Sequence, residues 1–137
     1  EPPFHVQPIL TWKAVVLAVK DYPAGAALGY NASFRTGRPM RVGVVAAGYA
    51  DGLDRRLSNG GAVLAAGRRA QIVGLVSMDV CLVDLSAAPQ VSVGDYLTLI
   101  GQDGSETLDA AQLAEHCRTV PYEILCRIGK RVVRFYR

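Results

Sequence analysis

At 137 residues, half of them hydrophobic and a fifth charged, the chain is long enough to enclose one hydrophobic core and too short for two ordinary domains. This balance excludes the charge excess of a disordered segment, and the sequence has no long uncharged run able to cross a membrane. The formal charge of +3 is too small to imply nucleic acid but would not repel a phosphate or a carboxylate, so a small anion is the expected ligand.

Residues 1–6, EPPFHV, resemble neither a signal peptide nor a targeting segment; with Pro2 and Pro3 they read as a linker from an upstream domain. ILTWKAVVLAVKDY (9–22) predicts a long strand, broken by Pro23, Gly25 and Gly29. MRVGVVAAGYA (40–50) predicts a second strand, residues 61–85 two or three more, and GDYLTLIG (94–101) another. Asp51-Gly52, Asn59-Gly60-Gly61, Gly67 and Gly94-Asp95 punctuate them with residues that tolerate positive φ. So many short strands would expose many edges unless the sheet curls, which predicts a mainly β fold: a small antiparallel barrel.

In TLDAAQLAEHCRT (107–119), Ala110, Leu113, Ala114 and Cys117 fall on one face of an amphipathic helix, with Thr107 as the expected N-cap, Asp109 in the first turn and Arg118 in the last. Pro121 predicts the first turn of a second short helix, after which RVVRFYR (131–137) reads as a return to strand.

The common catalytic constellations are thin. His5 and His116 have no acidic or cysteine partner at ligand spacing, so no metal site is expected. Cys81, Cys117 and Cys126 lack paired spacing, which fits reduced thiols and a cytoplasmic protein. Ser33, Ser58 and Ser77 lack the strand-turn-helix setting of an activated nucleophile. What remains is Tyr30 in GYN, Tyr49 in GYADG, and the segments SMDVC and VPYEILCRI. Taken singly, each tyrosine reads as a partly buried amphipathic plug, Met78 as core filler, and DGLDRR as a solvated loop.

Taken together, LGYNASF, GYADGLDRR, IVGLVSMDVCLVDL, VGDYLTLIG and TVPYEILCRIGKRVVRFY resemble, in this order and over nearly the whole chain, the C-terminal domain of the alanine racemase family. The resemblance implies a pyridoxal 5'-phosphate enzyme that interconverts L- and D-alanine. It further implies a missing N-terminal TIM-type barrel carrying the cofactor-binding lysine, and a second subunit completing a homodimer. To invert an α-carbon, a proton leaves one face and another arrives on the opposite face, so two acid/base groups are needed. By resemblance, Tyr30 is one of them, donated to the neighbouring subunit. A phenol titrates near 10, so such a base needs a cation beside it, which the resemblance assigns to the other domain rather than to Arg35, Arg38 or Arg41. The backbone amide of Met78 corresponds to a binder of the substrate carboxylate, Tyr49 and Asp79 to lining of the access channel, and Tyr122 to a binder of the cofactor phosphate. Asn31 and Phe34 depart from the commonest form of the Tyr30 loop.

Lys13, Lys20 and Lys130 are not expected to anchor the cofactor, because a reactive lysine requires a desolvated pocket. By itself the chain is expected to be inactive. The alternatives are a stand-alone β-barrel interaction module and the same domain of a serine or other amino-acid racemase.

Overall fold

The computed structural model describes residues 7–137; the predicted linker and His5 lie outside them. Among the described residues nine strands form, β1 (Trp12–Tyr22), β2 (Ala27–Leu28), β3 (Phe34–Arg35), β4 (Met40–Val45), β5 (Ala62–Ala65), β6 (Arg68–Val73), β7 (Cys81–Asp84), β8 (Tyr96–Asp103) and β9 (Glu106–Leu108). Two helices follow, α1 (Ala110–Cys117) and α2 (Pro121–Arg127).

The large sheet runs β1-β4-β7-β6-β5-β8-β9, and β1 also pairs with β8, so six strands close on themselves with every pairing antiparallel. The predicted barrel is therefore present, and closure removes the edges that would otherwise seek partners. The closing strand is β1: its first residues pair with β8 (Lys13 opposite Thr98) and its later ones with β4 (Lys20 opposite Val42), across a bulge between Val16 and Ala18. A bulge adds twist, which lets one strand serve both sides of the closure.

Trp12, Ala14 and Val16 alternate into the barrel interior, where they meet Leu64, Ile72, Val83, Leu97 and Leu99. A second, smaller cluster lies on the outer face. On β4, Met40 and Val42 join it while Val45 joins the interior, and on β6, Val73 joins it while Ile72 faces in. The cap on this outer cluster is Leu28, with Phe34 beside it, from the ribbon of β2 and β3. The fully buried Leu28 side chain is worth about 2 kcal/mol and pins the ribbon to the barrel. At the ribbon's base the Thr36 hydroxyl donates to the Pro23 carbonyl at 2.7 Å and accepts from the Ala26 amide at 2.8 Å.

Three local expectations are corrected. Thr107 belongs to β9, and the N-cap of α1 is Asp109, which forms a reciprocal capping box with Gln112 and so outcompetes a threonine two residues upstream. Arg118 is the C-cap, in left-handed conformation, rather than part of the last turn. RVVRFYR forms no strand: its Arg134 side chain donates to the carbonyls of Ile128, Gly129 and Val132, folding the segment back on itself and on the residues that end α2. No helix of the described residues is long and apolar enough to cross a membrane.

Candidate active site

Tyr30 opens a 3-10 turn, Tyr30–Ala32, at the tip of the β2–β3 ribbon, and is 68% exposed. Two features fix this perch. Gly29 has φ 72° and ψ −178°, a region essentially restricted to glycine, and its backbone lies against Gly74, where an added Cβ would stand 3.2 Å from the Gly74 Cα. Asn59 then bridges turn and barrel. Its side-chain oxygen accepts from the Gly74 amide at 2.6 Å, and its side-chain nitrogen donates to the Ser33 carbonyl at 3.4 Å. Asn31 and Ala32 both have positive φ, so the turn is a shaped platform rather than a loose loop. The nearby arginines are engaged elsewhere: Arg35 donates to the Gly25 carbonyl, and Arg38 and Arg41 pair with Asp84 and Asp21.

Gly74 begins the connection between β6 and β7, and Met78 and Asp79 lie towards its end. Here the turn 48–52 grips the connection. The Tyr49 amide donates to the Ser77 carbonyl at 2.9 Å and the Ala50 amide to the Met78 carbonyl at 3.0 Å. Because a trans peptide points its N–H opposite its C=O, holding the Ser77 carbonyl towards Tyr49 aims the Met78 N–H away from the turn. Among the described residues that N–H donates to no partner, and Met78 is 53% exposed. An unpartnered amide of fixed direction is a potential anion donor.

Arg131 locks this arrangement. Its Nε donates to Asp51 Oδ1 at 2.6 Å, and its Nη2 lies 3.1 Å from Asp51 Oδ2, 2.7 Å from Asp79 Oδ1 and 3.4 Å from the Met78 carbonyl. The Gly129 amide adds a bond to the Asp51 carbonyl at 2.9 Å. Arg131 thus ties Asp79 and the Met78 carbonyl to the turn that bears Tyr49; it lies within TVPYEILCRIGKRVVRFY, but nothing in that segment announces this role. Its two carboxylate partners lie 80 and 52 positions away, and no local spacing announces them.

Tyr122 is the second residue of α2 and is 77% exposed. Its neighbour Glu123 anchors the helix: the carboxylate accepts from Thr119, from Arg127 at 2.6 Å and from Arg56 at 3.3 Å. Arg56 also forms a bidentate pair with Asp54, at 3.0 and 2.6 Å, and Asp54 is buried and caps the short turn Arg55–Leu57. The Arg56 hydrogen bond holds the Asp54 carboxyl below the usual range against the opposing effect of burial. Hydrogen bonds from Thr119 and then Arg127 lower Glu123 likewise. DGLDRR is therefore not the solvated loop it resembles in composition, because Asp54 and Arg56 tie it to α2 and set the position of Tyr122.

Lys13, Lys20 and Lys130 are all exposed, and none sits in a desolvated pocket. Burial pushes the Cys81 thiol up to about 12, and Cys117 is buried too, so neither is a ready nucleophile. Among the described residues no group of three or more His, Cys, Asp or Glu is placed to hold a metal ion. Pyridoxal phosphate fits this surface in part: the exposed Tyr122 hydroxyl suits a phosphate, while no lysine here suits the covalent link.

The fold and these loops define the class of the chain: a closed antiparallel barrel domain, with two short helices after it, that presents an unpartnered amide and exposed phenols on its connections. Comparison with known proteins gives the particular family. Residues 9–136 match the family model described as alanine racemase, C-terminal domain, and the chain belongs to that family. An alanine racemase of Leptospira interrogans is 38% identical over 131 residues, 96% of this chain and 34% of the relative. The crystal structure of alanine racemase from E. faecalis matches with a TM-score of 0.93 and 37% identity, covering 100% of this chain and 36% of that one. Alanine racemase from Bartonella henselae, with covalently bound pyridoxal phosphate, gives 0.91 and 35% identity over 100% of this chain and 37% of that one. A histidine racemase from Leuconostoc mesenteroides also matches, at 0.89 and 30% identity, over 97% of this chain and 35% of that one. The chain thus spans about a third of the length of the relatives it resembles.

Proposed function

We propose that this chain is the C-terminal domain of a pyridoxal-phosphate-dependent racemase that interconverts L- and D-alanine, acting with an N-terminal barrel domain in a homodimer. The observation that carries the reading is the Met78 amide: without a partner among the described residues, on a half-exposed residue, and fixed by the grip of Tyr49 and Ala50 on the carbonyls either side of it. Such a donor suits the carboxylate of an amino acid. Supporting it, Tyr30 stands open to solvent on a rigid perch, as a phenol must if it is to reach another subunit.

When bound, the cofactor withdraws electrons from the amino acid and makes its α-proton removable. The share of this chain is to hold and move protons and to seat anions. The Tyr30 hydroxyl gives or takes the proton on one face of the α-carbon, and a group of the missing domain serves the other. The Met78 amide orients the carboxylate so that the α-hydrogen points at a base. Tyr49 and Asp79, tied to the same backbone, line the access channel and limit what enters. The Tyr122 hydroxyl donates to the cofactor phosphate, and the Glu123 ion pairs hold it there.

The test is Tyr30→Phe in the full-length protein. Racemisation is expected to fall by about 100-fold in at least one direction, while the absorbance of bound cofactor stays unchanged. Equal rates for variant and parent in both directions would refute the role. The match to a histidine racemase favours a second reading in which a larger amino acid is the substrate. Comparing kcat/KM for alanine, serine and histidine separates the two, with alanine expected to be highest.

A further inference from the structure

Asp51 and Asp79 stand on two different turns, yet their side chains converge on one guanidinium beside the Met78 peptide. Two carboxylates beside an amide that receives an anion are an electrostatic problem, because each repels the carboxylate that must approach. Arg131 touches both, and also reaches the Met78 carbonyl. Its charge offsets one of the two negative charges. The pairs are part-exposed, with Asp51 the more buried partner, so water screens this field incompletely.

We infer that Arg131 is a positioning residue that acts through its charge, halving the negative charge of the Asp51–Asp79 pair beside the Met78 amide and so setting the affinity for the substrate carboxylate. This rests on the proposed racemase reading. The charge count makes it separable from simple bracing. The native triad carries one net negative charge, Arg131→Met leaves two, Asp79→Asn leaves none, and the double variant returns to one. If charge governs, KM follows that order. If Arg131 only braces the turns, the double variant, which loses the most contacts, is the worst.

The experiment uses the full-length holoenzyme and measures KM and kcat for L- and D-alanine. Arg131→Met is expected to raise KM about tenfold while kcat stays within about threefold. Asp79→Asn is expected at or below the parent KM, and the double variant within about threefold of the parent. Arg131→Lys, which keeps the charge but not the fork, is expected to restore most of the KM. An unchanged KM in Arg131→Met, or a double variant worse than that single change, overturns the inference. Should Arg131→Met fail to fold, Asp79→Asn still decides, since a KM above that of the parent is incompatible with relief of repulsion. A full-length parent that racemises no amino acid sinks the underlying reading instead, which is a different and recognisable result.

Discussion

Gly48 and Met78 are packed so closely that a Cβ on Gly48 would collide with the Met78 carbonyl. No side chain fits there, so the turn bearing Tyr49 can press directly on the peptide that aims the Met78 amide. Gly48→Ala is accordingly expected to destabilise the protein by about 2–4 kcal/mol. In any folded fraction it should raise KM for the amino acid more than it lowers kcat. Thermal melts and steady-state kinetics check both parts, and an alanine variant with parental KM would show that the contact does not orient the amide.

The meeting of Gly29 and Gly74 makes a different prediction. Gly29→Ala places a side chain in backbone space that L-residues avoid and against the Gly74 backbone, costing about 1–3 kcal/mol. Because this pair supports Tyr30 and not α2, full-length enzyme should lose kcat with little change in cofactor affinity. A matched loss of both would mean that the barrel as a whole, rather than the Tyr30 perch, had moved.

Tyr122→Phe should act on the cofactor alone. Loss of one hydrogen bond to a charged phosphate costs about 1 kcal/mol, or about a fivefold rise in the dissociation constant for pyridoxal phosphate. Titration of cofactor absorbance during dilution measures it. Unaltered retention would leave Tyr122 as a surface aromatic.

Asp54 links stability to pH. Its carboxyl is held below the ordinary aspartate range, chiefly by the Arg56 hydrogen bond, so the native state favours its charged form. The stability it contributes is fully present above the unfolded value and is lost as pH falls through the lower folded one. Asp54→Ala, which removes the cap and the ion pairs, should cost about 2–4 kcal/mol at pH near 7, with the gap to the parent narrowing in acid. Urea unfolding across that range checks the sign: a gap that widened below the unfolded value would contradict the linkage.

Much of the barrel was legible because long alternating strands such as β1 and β4 advertise a half-buried face, and because Gly52, Asn59, Gly67 and Gly94 carry the positive φ that the turns require. The ribbon of β2 and β3 was not, since two-residue strands are too short to show alternation. RVVRFYR shows strand chemistry, yet pairing depends on where the fold places the segment, which no local pattern reports. The same limit hid Arg131 and the Asp54–Arg56–Glu123 network. Charged residues look solvated until the fold places their partners, and here the decisive partners, Glu123 for Arg56 and Asp51 for Arg131, lie far along the chain. Tyr30, Met78 and Tyr122 emerged only from their surrounding motifs, because a tyrosine or methionine alone carries no chemical signature.

The double pairing of β1 has a kinetic consequence. Trp12 sits opposite Ile100, so the ring cannot shut until the polypeptide has been made through β8 and β8 has found its way back to β1. Assembly governed by so distant a meeting is slow compared with helical proteins of equal size, and half-built sheets stay sticky in the interval. During synthesis, the later residues of β1 can pair with β4 early, while its first residues, Trp12 to Val15, wait unpaired for β8 to emerge.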